Sequence, residues 1–272
     1  MIFFSQTGLF ALNSEEEPDF ILFGIPYDST SSFNTGARFG PDSIREVSYH
    51  SEPYDCITGI DLRKIKIRDM GNLHVRHGDP QANNAIIREA LEDISLPFIA
   101  LGGDHSISYP LVSSCDPDCC ICLDAHLDLR DEYLGESLSH ACTSRRISET
   151  CPVYIYGYRE CSAEEYHYAQ DNDMKIYSAS EIQSIEYPKN KRIYLSIDLD
   201  VLDPSVAPNV SNPVPGGLSF LEVVDILQSI LQSNRVISMD ICELCSRYAD
   251  YTAVTATILL YKTLALWRKY HE

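Results

Sequence analysis

Short apolar runs alternate with amphipathic stretches along this chain, and that alternation constrains its fold more than any other feature. Eight runs have strand length and composition: residues 20–25, 65–68, 97–101, 119–123, 153–156, 175–177, 193–197 and 236–239. Helical periodicity occupies 81–94, 163–169, 219–232 and 252–269. The third of these helices opens on Ser219-Phe-Leu-Glu222, the spacing of a capping box. Strands that are apolar on both faces belong to parallel sheets, because crossover helices cover both sides. The expected class is therefore α/β with a mainly parallel sheet. No repeat, linker or composition break divides the chain, which reads as a single domain over residues 1–272.

Open parallel sheets bind ligands beyond the carboxyl ends of their strands. Three runs end there in polar clusters: Gly102-Gly-Asp-His-Ser106, Asp124-Ala-His-Leu-Asp128, and Asp198-Leu-Asp200. In extended backbone, positions i, i+2 and i+4 share a face. Asp124, His126 and Asp128 can thus converge, and so can Asp198 and Asp200. Carboxylates packed together raise one another's pKa, and burying them costs several kcal/mol without compensation. A polyvalent cation is the natural compensation, and His105 supplies a further imidazole. The set of two His and four Asp, with no Cys, suits Mn²⁺ or a related octahedral ion better than structural zinc. Six ligands suffice for two ions roughly 3.5–4 Å apart.

Composition narrows the partners. The formal net charge is −19, from 21 Lys+Arg and 40 Asp+Glu. That balance disfavours nucleic acid and anionic membranes, whose binding relies on Lys and Arg. It leaves cationic ligands open. No run reaches the ~18 apolar residues of a membrane span. The N-terminus lacks a basic n-region and a continuous apolar core, so no signal peptide is expected. The ten cysteines read as mostly reduced thiols, which fits a cytoplasmic protein. Two CxxC spacings, Cys119/Cys122 and Cys242/Cys245, offer a shared zinc site as an alternative. However, Cys119 starts a strand and Cys242 ends one, so they fall at opposite ends of a parallel sheet.

With these clusters in place, the chain resembles the ureohydrolase superfamily of arginase and agmatinase. Further matching motifs are Gly24-Ile-Pro-Tyr-Asp28, Thr35-Gly-Ala-Arg-Phe-Gly-Pro41, Asp69-Met-Gly-Asn72, Pro215-Gly-Gly-Leu218 and Met239-Asp-Ile-Cys-Glu243. They run in family order over nearly the whole chain. The resemblance implies a three-layer α/β/α fold around an eight-stranded, mainly parallel sheet, assembled as a trimer or hexamer. It implies two Mn²⁺ per subunit. One ion would take His105, Asp124, Asp128 and Asp198; the other would take Asp124, His126, Asp198 and Asp200. It also implies that Glu243 binds the guanidinium, that a metal-bridging hydroxide attacks its carbon, and that Asp128 or His140 protonates the leaving amine.

The segment after the second cluster, residues 129–140, carries Asp131, Glu132 and Glu136. An acidic loop suits a substrate with a distal ammonium and no carboxylate. Agmatine, giving putrescine and urea, is the expected substrate; N1-aminopropylagmatine, giving spermidine and urea, is the alternative. A formimino or acetyl amide hydrolase and a non-catalytic family member are further readings. Two segments depart from the family pattern: 209–213, where a glycine turn is expected, and 244–250, where a Pro and an Asp are expected soon after Glu243.

Overall fold

The computed structural model describes residues 3–5 and 8–271. In chain order its elements are β1 (Phe4–Ser5), β2 (Phe20–Gly24), α1 (Gly40–Ser48), β3 (Tyr54–Asp55), β4 (Ile60–Asp61), β5 (Ile67–Leu73), α2 (Pro80–Leu91), β6 (Phe98–Leu101) and α3 (Ser108–Cys115). There follow β7 (Cys119–Leu123), α4 (Thr143–Ser148), β8 (Val153–Tyr158), α5 (Ala163–Asp171), β9 (Lys175–Ser178), β10 (Arg192–Asp198), α6 (Phe220–Ser233), β11 (Arg235–Cys242) and α7 (Tyr251–His271). One sheet runs β1-β5-β2-β6-β11-β10-β7-β8-β9, and β3-β4 forms a small separate hairpin. The sheet has nine strands rather than the expected eight. The eight sequence-predicted strands form its parallel body, and β1 adds an antiparallel edge of two residues on β5, too short to register as a pattern in the sequence.

Two apolar layers sandwich the sheet. Leu22, Ile121, Leu195 and Ile241 face α1, α6 and α7, while Phe23, Cys122, Tyr194 and Ala100 face α2, α3 and α4. The alternation along β7 settles the CxxC question: Cys119 belongs to the first layer and Cys122 to the second. Residues three apart on a strand point to opposite faces, so this pair cannot share an ion. All ten cysteines are free thiols. Among the described residues, no helix is long and apolar enough to cross a membrane.

The strand expected at 65–68 runs instead over Ile67–Leu73, through polar Asp69 and Asn72. Those residues are buried because they hold Arg45 of α1. The Arg45 guanidinium, 2% exposed, donates to Asp69 through Nε (2.7 Å) and Nη2 (2.8 Å), to Asn72 Oδ1 (2.6 Å) and to the Gly71 carbonyl (3.0 Å). The Asp69-Met-Gly-Asn72 motif is thus a clamp between sheet and helix. Removing one partner of a buried pair strands the other charge. Arg45→Met is expected to cost about 3–5 kcal/mol, read as a lower urea-denaturation midpoint.

Candidate metal and substrate site

The strands β6, β11, β10 and β7 are consecutive neighbours in the sheet, so the three polar clusters and Glu243 meet at one edge. His105 follows β6 in a turn that depends on Gly103, where a Cβ would sit on the carbonyl group of Tyr27. Asp104 pins that turn by accepting from Thr30 through its amide (2.9 Å) and its hydroxyl (2.8 Å). Asp128 and Glu243 both have left-handed backbone, with φ of 51° and 67°. That conformation is uncommon for a residue with a side chain, costs free energy, and clusters at functional sites.

The six expected ligands come together around two imidazoles, a His105 group that also reaches Cys242 and a His126 group. His105 Nδ1 lies 3.1 Å from Asp124 Oδ2, 2.9 Å from Asp128 Oδ2 and 3.4 Å from Asp198 Oδ2. His126 Nδ1 lies 3.0 Å from Asp200 Oδ2 and 3.6 Å from Asp124 Oδ1. Asp124 therefore presents one oxygen to each group. Asp198 sits with the His105 group, its Oδ1 accepting from the Asp200 amide at 2.9 Å. The structure also puts a thiol beneath the cluster, which the donor set read from sequence did not include. Cys242 Sγ is 3.9 Å from Asp198 Oδ2, because residues 198 and 242 are register partners on β10 and β11.

These residues fit a pair of divalent ions. Burial first, and then the charges of Asp200 and Asp124, push the Asp198 carboxyl well above its ordinary range. Burial and Asp124 push Asp128 up to about 7. Asp124 is held low, because the His105 and His126 imidazoles outweigh its burial. Its Oδ2 stands at ion-pair distance from His105 yet takes no hydrogen bond. The protein thus gathers more buried negative charge than its own donors compensate, and it arranges oxygen and imidazole donors around two centres.

Glu243 contributes a differently used carboxylate. Its Oε1 accepts the His105 amide at 2.6 Å. Its Oε2 is buried without a partner. Burial, then Asp104, raises its carboxyl to about 8. His140 is buried on the opposite side, its amide donating to Thr30 Oγ1 (3.0 Å) and its ring 3.3 Å from Ser32 Oγ and 3.2 Å from Ser139 Oγ. Burial, then the neighbouring imidazoles, lowers it to about 4, so the ring is neutral near pH 7.

A cavity of about 420 Å³ opens over this cluster, lined by His126, Asp128, Asp198, Asp200, His140 and Glu243 together with Phe33, Arg130, Tyr133, Glu160 and Asn212. Asp131, Glu132 and Glu136 are not among its lining residues. Their loop folds back on α4, where Asp131 pairs with Arg146 at 2.5 Å and the Glu136 carboxylate accepts the Leu138 amide at 2.9 Å. Glu160 also lines the cavity, exposed and in no ion pair among the described residues, held beside His126 by a parallel backbone bridge. Sequence reasoning passed it over, although Glu160 lies two residues beyond the end of β8, the strand next to β7. Arg159 fastens the floor by donating to the carbonyls of Asp200 (2.7 Å) and Val214 (2.7 Å).

The two segments that depart from the family pattern pack on each other. Val210 bridges Leu244, Ser211 Oγ lies 3.1 Å from Cys245 Sγ, and Asn209 Nδ2 donates to Asp250 at 2.7 Å. They form one unit beside Glu243.

The chain is similar to known proteins over nearly its full length. The profile of the arginase family matches residues 18–265. The N(1)-aminopropylagmatine ureohydrolase of Thermococcus kodakarensis is 35% identical over 96% of this chain and 95% of its own. The agmatinase of Pyrococcus horikoshii is 35% identical over 92% and 93%. The crystal structure of the agmatine ureohydrolase of Thermoplasma volcanium superposes with a TM-score of 0.85 at 29% identity, covering 98% of this chain and 96% of that one. A family profile, relatives and a fold that match over nearly the full length place the chain in the arginase family of ureohydrolases.

Proposed function

We propose that this enzyme hydrolyses agmatine to putrescine and urea, using two Mn²⁺ held by His105, Asp124, Asp128 and Asp198 on one side and by Asp124, His126, Asp198 and Asp200 on the other. The observation that carries the reading is the unpartnered Glu243 Oε2 in a cavity whose floor is the carboxylate–imidazole cluster. When bound, the ions supply a nucleophile at neutral pH and stabilise developing negative charge. A guanidinium must be oriented as well as attacked, and Glu243 does this with a charge-assisted hydrogen bond. The carbon–nitrogen bond to the alkyl chain then breaks. Water's oxygen stays with the carbon as urea, and a proton goes to the leaving amine. His140, neutral and on the wall, and Asp128, at the cluster, are the groups placed to carry that proton.

Glu160 accepts the distal ammonium, while Phe33 and Tyr133 give the methylene chain an apolar wall. N1-aminopropylagmatine is the second reading. The Thermococcus relative named for that substrate matches as well as the Pyrococcus agmatinase does. The free thiols support a cytoplasmic setting.

The test is urea release by the Mn²⁺-loaded enzyme from agmatine, N1-aminopropylagmatine, arginine and guanidinobutyrate. The two polyamine precursors should be preferred. No urea from any of the four would sink the proposal. Glu160→Gln should raise KM for agmatine about 5–10-fold, the worth of one partly solvated charge-assisted bond, with kcat retained. An unchanged KM would remove Glu160 from substrate binding.

A further inference from the structure

Asp240 is a fully buried carboxylate in the middle of the sheet, outside the donor set above. Burying a carboxylate is costly unless its lone pairs are satisfied. Its Oδ2 accepts the Tyr194 hydroxyl at 2.8 Å and its Oδ1 accepts the Ser196 hydroxyl at 2.8 Å. Tyr194 and Ser196 lie two apart on β10, on one face, and Ser196 is the register partner of Asp240 on β11. Ser108 Oγ lies 3.2 Å from Ser196 Oγ, a longer contact than the one from Ser196 to Asp240. Both side chains that donate to Asp240 among the described residues are hydroxyls.

This fixes the direction of the next bond. Ser196 has one proton, and Asp240 takes it. Toward His105 Nε2, 3.1 Å away, Ser196 then offers only lone pairs. His105 must donate from Nε2, which leaves Nδ1, 2.9 Å from Asp128 Oδ2, as the nitrogen that faces the carboxylates or an ion. Nδ1 is the atom surrounded by the carboxylate oxygens of Asp124, Asp128 and Asp198. A proton or a cation must lie between that nitrogen and the three carboxylates, and a bound ion would take the proton's place.

We propose that Asp240, acting through Ser196 and steadied by Tyr194, is a positioning residue that sets the tautomer and orientation of His105 for one of the two ions. Partners of this kind also raise the basicity of a ligating imidazole. The proposal rests on the binuclear-metal reading above.

Mn²⁺ titration of the full-length, metal-stripped enzyme tests it, by calorimetry and by electron paramagnetic resonance. Wild type should bind two ions and give the signal of a coupled pair. Asp240→Asn keeps the shape but turns an amide donor toward Ser196 or Tyr194. It should weaken the His105-side ion 10–100-fold and leave the other in place, so that a mononuclear signal appears at intermediate loading. Ser196→Ala cuts the link without touching Asp240 and should give the same selective loss. Tyr194→Phe, which keeps the link, should lose less than tenfold. Far-UV circular dichroism of the metal-free variants should match wild type. If Asp240→Asn does not fold, Ser196→Ala decides. Unchanged affinities in Asp240→Asn and Ser196→Ala, or equal weakening of both ions, would overturn the proposal. Failure of wild type to bind divalent ions would instead overturn the metal reading on which it depends.

Discussion

Asp198→Asn is expected to reduce urea release by about three to four orders of magnitude while leaving the metal-free protein folded. Asp198 is buried among Asp124, Asp200 and Glu243, and in the proposed site it serves both ions. Metal activation supplies several kcal/mol of barrier lowering, and each 1.4 kcal/mol is a factor of ten. Bound Mn²⁺ should fall below two per chain, measured by metal analysis after desalting. The stability effect has the opposite sign. Asparagine removes one of the crowded negative charges, so the metal-free variant should melt at or above the wild-type temperature. A variant that loses activity by unfolding would instead melt lower.

The same crowding predicts a pH dependence for the metal-free wild type. Asp128, raised to about 7, and Glu243, raised to about 8, hold protons in the folded state that the unfolded chain has released. Where the native state binds more protons, stability falls as pH rises. This contribution is fully present below the unfolded carboxylate range near pH 4 and is lost as pH climbs through 7 to 8. Metal-free protein should therefore show a lower melting temperature at pH 8 than at pH 5. Added Mn²⁺ should remove most of that difference, because the ions take the place of the protons.

The second large effect is Glu243→Gln, for which kcat/KM on agmatine should fall by a few hundredfold. Truncating one partner of a buried, hydrogen-bonded charge pair costs about 2–5 kcal/mol. Glutamine retains an oxygen to accept the His105 amide, so the turn that carries His105 should survive. Two Mn²⁺ should still bind. Loss of rate with full metal occupancy separates this variant from Asp198→Asn. A variant that keeps wild-type kcat/KM would show that the free Oε2 plays no part in holding the guanidinium.

Much of this protein is legible in one dimension. The eight parallel strands follow from runs of apolar residues bounded by polar turns. The longest helices, α6 and α7, follow from periodicity sustained over three turns or more. Among the short helices α5 shows periodicity in the sequence, whereas α1, α3 and α4, of six to nine residues, do not, and tertiary contacts complete them. Arg45 in α1 is the clearest case: its burial depends on Asp69 and Asn72 across the sheet.

The sequence by itself marked the candidate donors, because they occur as short local patterns at strand ends. Asp124, His126 and Asp128 are a local pattern, as are Asp198 and Asp200, and each is costly to bury without a cation. Only the tertiary structure decided which carboxylate faces the substrate cavity. An acidic loop is acidic wherever it points, and this one spends Asp131 on Arg146 while Glu160, thirty positions from Arg130, comes to stand on the wall. The tertiary structure alone also joined the 209–213 and 244–250 segments into one rim and set Asp240 beneath His105 through Ser196. Those relations depend on strand order and register, which bring together residues that the chain keeps far apart.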